Sequence, residues 1–233
     1  MDYAMQSCFN CCIINLKDML ENGTVINGKM IETPKSFQTA CTITTQIIAQ
    51  VASAQLGGQS INKIDTILAP YVRKSYLKYL QQAKDEQKLY GILNESLAEK
   101  IAWDRTRLEV RAGCQTMQYQ INTLQTSNGQ SPFCTFLMHF EENYEYAKEA
   151  AMITEEILRQ RYQGVKNEKG VYVTPTFPKL IYVLDKHNIH DDSEYRYLTD
   201  LAITCSAKRM YPDYISAKKM KEIYEGNVFA PMG

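Results

Sequence analysis

The sequence predicts an α/β fold in a single domain that spans residues 1–233. Two observations lead to this prediction: short apolar runs alternate with segments of helical periodicity, and 45% of the residues are hydrophobic. Such an alternation is typical of a largely parallel sheet with both faces covered. The hydrophobic content is sufficient for a core and excludes a disordered or collagen-like chain.

The first third of the chain predicts a strand, a short helix and a long helix. A β-rich stretch covers residues 9–16, and the helical segment after it stops at Gly23, where glycine suits the left-handed position beyond a helix end. Apolar residues then recur every three or four positions across residues 36–56, which predicts a long, deeply packed helix. Gly57 and Gly58 end this helix, and they allow a sharp turn or a close approach to a neighbour.

The remaining elements follow from the same two patterns. Residues 64–90 and 97–124 predict helices, and Pro70 can kink or interrupt the first of them. A run of turn-forming residues at 126–132 precedes a buried strand at 133–138. The last predicted elements are a helix at 144–162, a buried strand at 180–184 and a helix at 195–210.

The charge balance argues against non-specific binding to nucleic acid or to an anionic membrane. Lysine plus arginine and aspartate plus glutamate number 26 each, so no global field would hold a polyanion. The longest apolar runs are far shorter than the roughly 20 residues that span a bilayer. The first residues, MDYAMQSCFNCC, do not resemble a secretory signal. We expect a cytoplasmic protein without nucleic-acid or membrane partners.

Cysteine usage indicates a reducing compartment and no metal site. The seven cysteines form an odd set, so any disulfide scheme leaves one thiol unpaired. Cys8 and Cys11 make a CxxC pair, but no second pair follows at zinc-finger spacing. We therefore expect most of these thiols to act as small buried hydrophobes.

Standard nucleotide, esterase and metalloprotease motifs are absent from the sequence. Five polar segments within apolar surroundings stand out instead, and several of them fall at strand ends. They are residues 10–12, 45–59, 127–132, 175–179 and 208–213. Each alone is explained as a loop, a helix end or core filler, whereas several polar loops at strand ends can converge on one pocket.

Six extended segments carry a resemblance to a known family. In chain order they are FNCCIINLKDMLENGTVI, IETPKSFQTAC, TQIIAQVASAQLGGQSI, TLQTSNGQSPF, TPTFPKLIYVLD and CSAKRMYPDYISAKK. Together they closely resemble the catalytic subunit of the anaerobic (class III, glycyl-radical) ribonucleoside-triphosphate reductases. The resemblance covers essentially the whole chain.

The resemblance implies the first half of a ten-stranded α/β barrel that removes the ribose 2′-hydroxyl of ribonucleoside triphosphates. It also implies a fragment: the ATP-cone that many members carry is expected to be absent, and the chain stops at Gly233, where the family continues with the Cys-Arg-Ser loop that bears the thiyl radical. A glycyl radical near the C-terminus starts the family's chemistry. We expect no cofactor bound directly by this segment.

The same resemblance assigns a second family cysteine, on the first barrel strand, to Cys11 or Cys12. This cysteine protonates the departing 2′-hydroxyl and joins in the reduction. A strand alternates faces, so only one of the two thiols can point into the barrel. We choose Cys11, because other members place a single cysteine five residues before the leucine that matches Leu16. Cys12 takes the role if the register is off by one.

Nucleotide-binding residues are also carried over from the family. A specificity site for a deoxynucleoside triphosphate falls on Glu32, Lys35, Gln46 and Lys78. Lysines suit phosphate as point charges, and the Glu and Gln side chains suit sugar or base. Substrate contacts are expected in the loop with Ser127, Asn128, Gly129 and Ser131.

Partners implied by the resemblance are a ribonucleoside triphosphate substrate, dNTP or ATP effectors, a second copy of the chain and the remaining C-terminal half of the enzyme. A radical-SAM iron–sulfur activase makes the glycyl radical, and formate or a thiol protein serves as reductant. The competing hypothesis is a non-catalytic half-barrel that acts as a nucleotide-binding or dimerisation module. We expect the isolated chain to be inactive under either hypothesis.

Overall fold

The computed structural model describes residues 10–55, 57–92, 94–126 and 129–230. The helices are α1 (Leu16–Glu21), α2 (Phe37–Ala54), α3 (Ile64–Leu89), α4 (Glu95–Thr123), α5 (Ala147–Gln163), α6 (Lys186–Ile189), α7 (Arg196–Arg209) and α8 (Ala217–Ile223). The strands are β1 (Cys12–Ile13), β2 (Thr24–Ile26), β3 (Lys29–Ile31), β4 (Gln59–Ile61), β5 (Cys134–Met138), β6 (Val165–Lys166), β7 (Tyr172–Val173), β8 (Lys179–Leu184) and β9 (Asp213–Ser216).

The predicted helices and the two predicted apolar strands are confirmed, with small shifts of their ends. The five long helices α2, α3, α4, α5 and α7 occupy the segments with helical periodicity. The strands β5 and β8 match the two apolar runs. The first strand is shorter than predicted, because Leu16 at the end of the β-rich stretch already begins α1. Phe9 of that stretch lies outside the described residues.

Five strands form one parallel sheet in the order β1-β4-β5-β8-β9. Their order in space follows their order in the chain, and each neighbouring pair is parallel. Crossovers between parallel strands are almost always right-handed, so a sequential order returns every connecting helix to the same side of the sheet. This confirms the α/β fold class and is consistent with part of an α/β barrel.

Helices cover one face of the sheet, and the opposite face is called the inner face below. In β5, Cys134, Phe136 and Met138 belong to the large core that contains the helices. Leu137 lies between them in sequence and belongs to a separate small cluster. The crossover helices therefore lie on one side of the sheet. On the inner face, α8 contributes Ala217 and Met220 to the small cluster.

The last described residues cover the carboxyl half of the inner face. Val228 and Ala230 are buried in the small cluster with Leu137, Ile181 and Val183. The backbone N–H of Ala230 donates a hydrogen bond of 2.8 Å to Oδ1 of Asn62, the residue after β4. This segment thus returns over the sheet after α8.

Pro70 lies inside α3 without interrupting it. Proline has no N–H, so the carbonyl of Thr66, four residues earlier, loses its normal helical donor. The hydroxyl of Tyr144 supplies the missing hydrogen bond at 2.9 Å. A tertiary contact thus satisfies the carbonyl that proline leaves free.

The strands β4 and β9 were not predicted, because they are short and polar. β4 is Gln-Ser-Ile and begins directly after the glycine pair, while β9 begins at Asp213 after a polar segment. Neither has the apolar run or the alternation that indicates a strand. Both form because backbone groups pair with a neighbouring strand, which is a contact distant in sequence.

None of the helices in the described ranges offers an apolar stretch of the length that a bilayer span requires.

Asp65 in the first turn of α3 is a buried carboxylate that joins three elements. Its oxygens accept hydrogen bonds from the backbone N–H groups of Thr66 (2.9 Å) and His139 (3.1 Å) and from the hydroxyl of Thr154 (2.9 Å). Burial raises the pKa of Asp65 to about 6 against its ordinary 3.8, although these three donors oppose the shift. Desolvation therefore outweighs the hydrogen bonds.

We predict that Asp65 makes stability depend on pH between about 4 and 6. Because the pKa of this carboxyl group is higher in the folded than in the unfolded chain, the unfolded chain loses the proton first as pH rises. The free energy of unfolding therefore falls with rising pH and levels off above the folded pKa. The expected loss is about 3 kcal/mol. Urea denaturation at pH 4, 5, 6 and 7 measures it, and in Asp65→Asn the loss should vanish.

The matched control for this prediction is Asp104→Asn, which changes an exposed carboxylate on α4. This variant should keep the pH profile of the wild-type chain. Parallel profiles for the wild type and Asp65→Asn would contradict the role given to Asp65.

Candidate functional site

Polar segments converge on one edge of the sheet, where the strands begin. Parallel strands have their amino ends at the same edge, which is called the amino edge below. Residues 10–11, 57–58, 126–132, 175–178 and 208–212 come directly before β1, β4, β5, β8 and β9. Many α/β proteins bind ligands at the carboxyl ends of strands. In this chain the predicted polar loops meet at the opposite edge.

The two adjacent cysteines near the start of β1 have different surroundings. Cys12 is half-buried against the core on the helix side, and desolvation raises the pKa of its thiol. Ile13, the next residue, is 47% exposed and is not part of that core. Side chains alternate along a strand, so Cys11 falls on the same face as Ile13, which is the inner face.

Gly57 and Gly58 bring the first strands close together at the amino edge. A Cβ atom on Gly57 would lie 1.5 Å from the carbonyl oxygen of Asn10, and one on Gly58 would lie 2.8 Å from the ring of Phe133. The backbone N–H of Cys12 donates a hydrogen bond of 3.1 Å to the carbonyl of Gly58. The prediction that this pair permits a close approach is confirmed.

The turn before β5 is closed by its own backbone. The N–H of Thr126 donates to the carbonyl of Gln130 at 2.8 Å, and the N–H of Gly129 donates to the carbonyl of Thr126 at 2.9 Å. Gly129 has a φ of +73°, which glycine adopts without a steric penalty. These hydrogen bonds and the positive φ fix the backbone at Thr126, Gly129 and Gln130.

The structure describes two of the four predicted residues of the substrate loop, Gly129 and Ser131. Ser131 lines a pocket at the amino edge together with Gly57 and Phe133. Gly129 forms the turn beside this pocket, whereas Ser127 and Asn128 lie outside the described residues. The structure thus brings Ser131 to the edge at which Cys11 lies.

Two buried arginines hold the segment before β8. Arg161 is 1% exposed, and its two terminal nitrogens donate to the carbonyls of Pro175 and Pro178. Arg209 donates to the hydroxyl of Thr174, directly before this segment, at 3.5 Å and to the carbonyl of Gln163 at the end of α5. Burial lowers the pKa of Arg161 to about 10, so it remains charged at neutral pH. These bonds fix the proline-rich loop at the amino edge.

The predicted effector lysines lie near the beginning of α2. Both Lys35 and Lys78 are exposed, and Lys78 lines an open groove with Ser36 and Glu109. The Glu109 carboxylate accepts a hydrogen bond of 2.9 Å from the N–H of Gln38 in the first turn of α2. A negative charge therefore already occupies the end of the helix that would attract a phosphate.

The other two predicted effector residues lie elsewhere on the same side of the molecule. Gln46 is exposed on α2 and lines a second groove with Lys29 and Gln50, beneath the β2–β3 hairpin. Glu32 is exposed directly after β3. The structure does not bring Gln46 and Lys78 into one groove.

The opposite, carboxyl edge of the sheet carries a cluster of charged groups. His139, Glu141 and Asp185 place one ligand atom each within 4.8 Å of one another, a spacing that a metal ion could use. The carboxylates, however, are bound by lysines: Lys63 lies 3.2 Å from Glu141, and Lys221 lies 3.1 Å from Glu141 and 3.3 Å from Asp185. Burial lowers the pKa of His139. The two ammonium groups already neutralise the two carboxylates.

The sequence patterns did not predict one row of residues on the inner face. The register aligns Ile13 with Ser60, Ser60 with Thr135, and Thr135 with Lys179. Neither Ser60 nor Thr135 lies in a loop or a motif, and Lys179 ends a polar segment. Only the pairing of strands reveals that they share a face, so no signal in the sequence could have joined them.

Comparisons with known proteins agree on one family. The family model described as anaerobic ribonucleoside-triphosphate reductase matches residues 1–233. The anaerobic ribonucleoside-triphosphate reductase of Enterobacteria phage T4 is 39% identical over 226 residues, which is 96% of this chain and 35% of the phage protein. That of Escherichia coli K12 is 40% identical and matches 97% of this chain and 30% of its own length. The chain spans about one third of these relatives.

Solved structures show the same fold at low sequence identity. The anaerobic ribonucleotide reductase from Thermotoga maritima, in complex with dATP and CTP, is 14% identical and has a TM-score of 0.60. The match covers 94% of this chain and 35% of that one. Because the family model matches the whole of the present chain, the chain belongs to the anaerobic ribonucleoside-triphosphate reductase family.

Proposed function

We propose that this chain forms part of the catalytic barrel of an anaerobic reductase that converts ribonucleoside triphosphates to 2′-deoxyribonucleoside triphosphates. The observation that carries the proposal is the position of Cys11 next to β1, on the inner face and at the edge where the polar loops converge. Family membership supports the reaction class.

Cys11 is the proposed proton donor to the departing 2′-hydroxyl and a participant in the reduction. A thiol suits both tasks, because it is a modest acid and its sulfur gives up an electron more readily than an oxygen does. Cys12 does not suit them, because its side chain packs into the helix-side core. The radical that starts the reaction would come from a glycyl radical made by a separate radical-SAM activase, with formate or a thiol protein as reductant.

The amino edge is the proposed seat of the substrate. Ser131, Gly57 and Phe133 line a pocket at this edge together with Ala52 and Gln55 at the end of α2. The loop at residues 175–178, which Arg161 holds, borders the same edge. The inner face of a closed barrel excludes water, which would protect radical intermediates from side reactions.

We predict opposite outcomes for serine at the two adjacent cysteines. The chain is co-expressed with the remaining part of the reductase and activated without oxygen. Cys11→Ser should lower turnover at least about a hundredfold, since serine is nearly the same size but a much poorer acid. Cys12→Ser should keep activity within a few fold. Reduction of a radiolabelled ribonucleoside triphosphate measures turnover, and electron paramagnetic resonance verifies that the radical still forms.

Two results would contradict this assignment. An inactive Cys12→Ser beside an active Cys11→Ser would move the role to Cys12. Full activity in both variants would remove the thiol at β1 from the reaction, and nucleotide binding without any turnover in the completed wild-type enzyme would favour the non-catalytic module.

Effector binding is proposed for the side of α2 that carries both grooves. Thr39 in the Lys78 groove and Gln46 in the second groove are separated by two helical turns, roughly 10 Å. A deoxynucleoside triphosphate that contacts both must lie along α2 or be shared between two copies of the chain. The family site, in which the effector lies at a dimer interface, favours the second arrangement.

We predict that Lys35→Ala and Lys78→Ala each weaken binding of dATP. Loss of one charge-assisted phosphate contact costs on the order of 1–3 kcal/mol. Isothermal titration calorimetry measures the affinity, and ultracentrifugation in the same buffer follows the oligomeric state. Lys100→Ala, an exposed lysine on α4, is the matched control and should bind dATP as the wild type does. Unchanged affinity in both lysine variants would remove this site.

A further inference from the structure

The amino half of the inner face combines a thiol, an aromatic ring, hydroxyl groups and a cation. Cys12, Gln59 and Cys134 are aligned across three strands and face the helix side. The residues one position earlier therefore align on the inner face, and they are Cys11, Gly58 and Phe133. The next row on this face holds Ser60, Thr135 and Lys179.

Phe133 links the two rows. Its ring lies against Gly58, where a Cβ atom would come within 2.8 Å of it, and Phe177 packs edge-on at 4.9 Å between ring centroids. The ammonium group of Lys179 lies 5.1 Å from the centroid of the Phe133 ring. The lysine is thus held against the Phe133 ring at the amino end of the sheet, rather than directed away from it.

Lys179 has no acidic partner in the part of the chain that the structure describes. The lysines of the carboxyl edge, Lys63 and Lys221, are bound by carboxylates, whereas no carboxylate of the described residues pairs with Lys179. Lys179 is half-buried, so its charge is screened less than that of a fully exposed lysine. An unpaired, half-buried cation beside hydroxyl groups suits an anionic ligand.

The carboxyl half of the inner face is apolar on β5 and β8, and the exposed Asp213 of β9 aligns with Ile181 at its border. Leu137, Ile181 and Val183 make its carboxyl half apolar, and Val228 and Ala230 cover them. The polar side chains of this face lie at its amino half. This half is partly accessible to solvent, since Thr135 is half-buried and Ile13 is exposed. A ligand on this face is therefore confined to the amino half.

We propose that Lys179 and the hydroxyl of Thr135 bind the phosphate chain of a nucleoside triphosphate whose ribose lies against Cys11. The inference rests on the proposed function, because that function places the ribose. Cys11 and Lys179 stand on strands three spacings apart, about 14 Å across the sheet. The length of an extended triphosphate, together with the length of the lysine side chain that contacts it, is enough to cover this distance. The apolar carboxyl half prevents the opposite orientation.

The test measures binding of CTP and of cytidine to the chain by calorimetry. Lys179→Met should weaken CTP binding at least about tenfold, as expected for the loss of a charge-assisted phosphate contact. Cytidine has no phosphate, so its affinity should stay unchanged. Lys179→Arg should restore most of the CTP affinity, because the positive charge is kept. This rescue separates a phosphate contact from a folding defect.

Two further variants serve as controls. Lys166→Met removes another lysine that lies over an aromatic ring, 5.2 Å from the centroid of Tyr172, on the β6–β7 hairpin and outside the inner face. Lys78→Ala tests whether CTP occupies the effector groove instead. Lys166→Met should bind CTP within twofold of the wild type.

Each outcome separates this inference from the proposed function. CTP affinity that is unchanged in Lys179→Met, or lost in Lys78→Ala instead, would overturn the inference while the Cys11 assignment stands. CTP affinity that depends on Lys179, with full turnover in Cys11→Ser, would support the inference and overturn the catalytic role. A wild-type chain that binds neither CTP nor cytidine would overturn the inference.

Discussion

In a parallel sheet whose strands follow one another in space as they do in the chain, every right-handed crossover returns on the same side. The order β1-β4-β5-β8-β9 imposes this arrangement on the present chain. The crossover helices then form one layer, the amino ends of all five strands form one edge, and no crossover helix covers the inner face. The location of the candidate site depends on these three consequences.

The two edges of the sheet differ in how their charges are balanced. At the carboxyl edge, Lys63 and Lys221 neutralise Glu141 and Asp185, and α8 is tied to the sheet by the same contacts. At the amino edge, Lys179 has no such partner among the described residues. An edge whose charges are paired within the chain suits a structural role, whereas an unpaired cation suits an anionic ligand.

At the cysteine pair, a shift of the strand by one residue would change which thiol faces the inner side of the sheet. Cys11 and Cys12 are identical side chains at adjacent positions, yet the burial of Cys12 against the helices leaves the inner face to Cys11. The close approach at Gly57 and Gly58 supports this register, because a Cβ atom on Gly57 would collide with the backbone of Asn10. The glycine pair is therefore part of what presents a thiol at this edge.

Local periodicity was enough to predict the long helices α2, α3, α4, α5 and α7 and the apolar strands β5 and β8. The burial of one helical face, or of a whole strand, produces a regular pattern in consecutive residues. The family, too, followed from segments such as TPTFPKLIYVLD. The polar strands β4 and β9 and the row of Ser60, Thr135 and Lys179 required the tertiary structure. Strand pairing joins residues that are far apart in the chain, and a sequence read locally contains no record of which strands become neighbours.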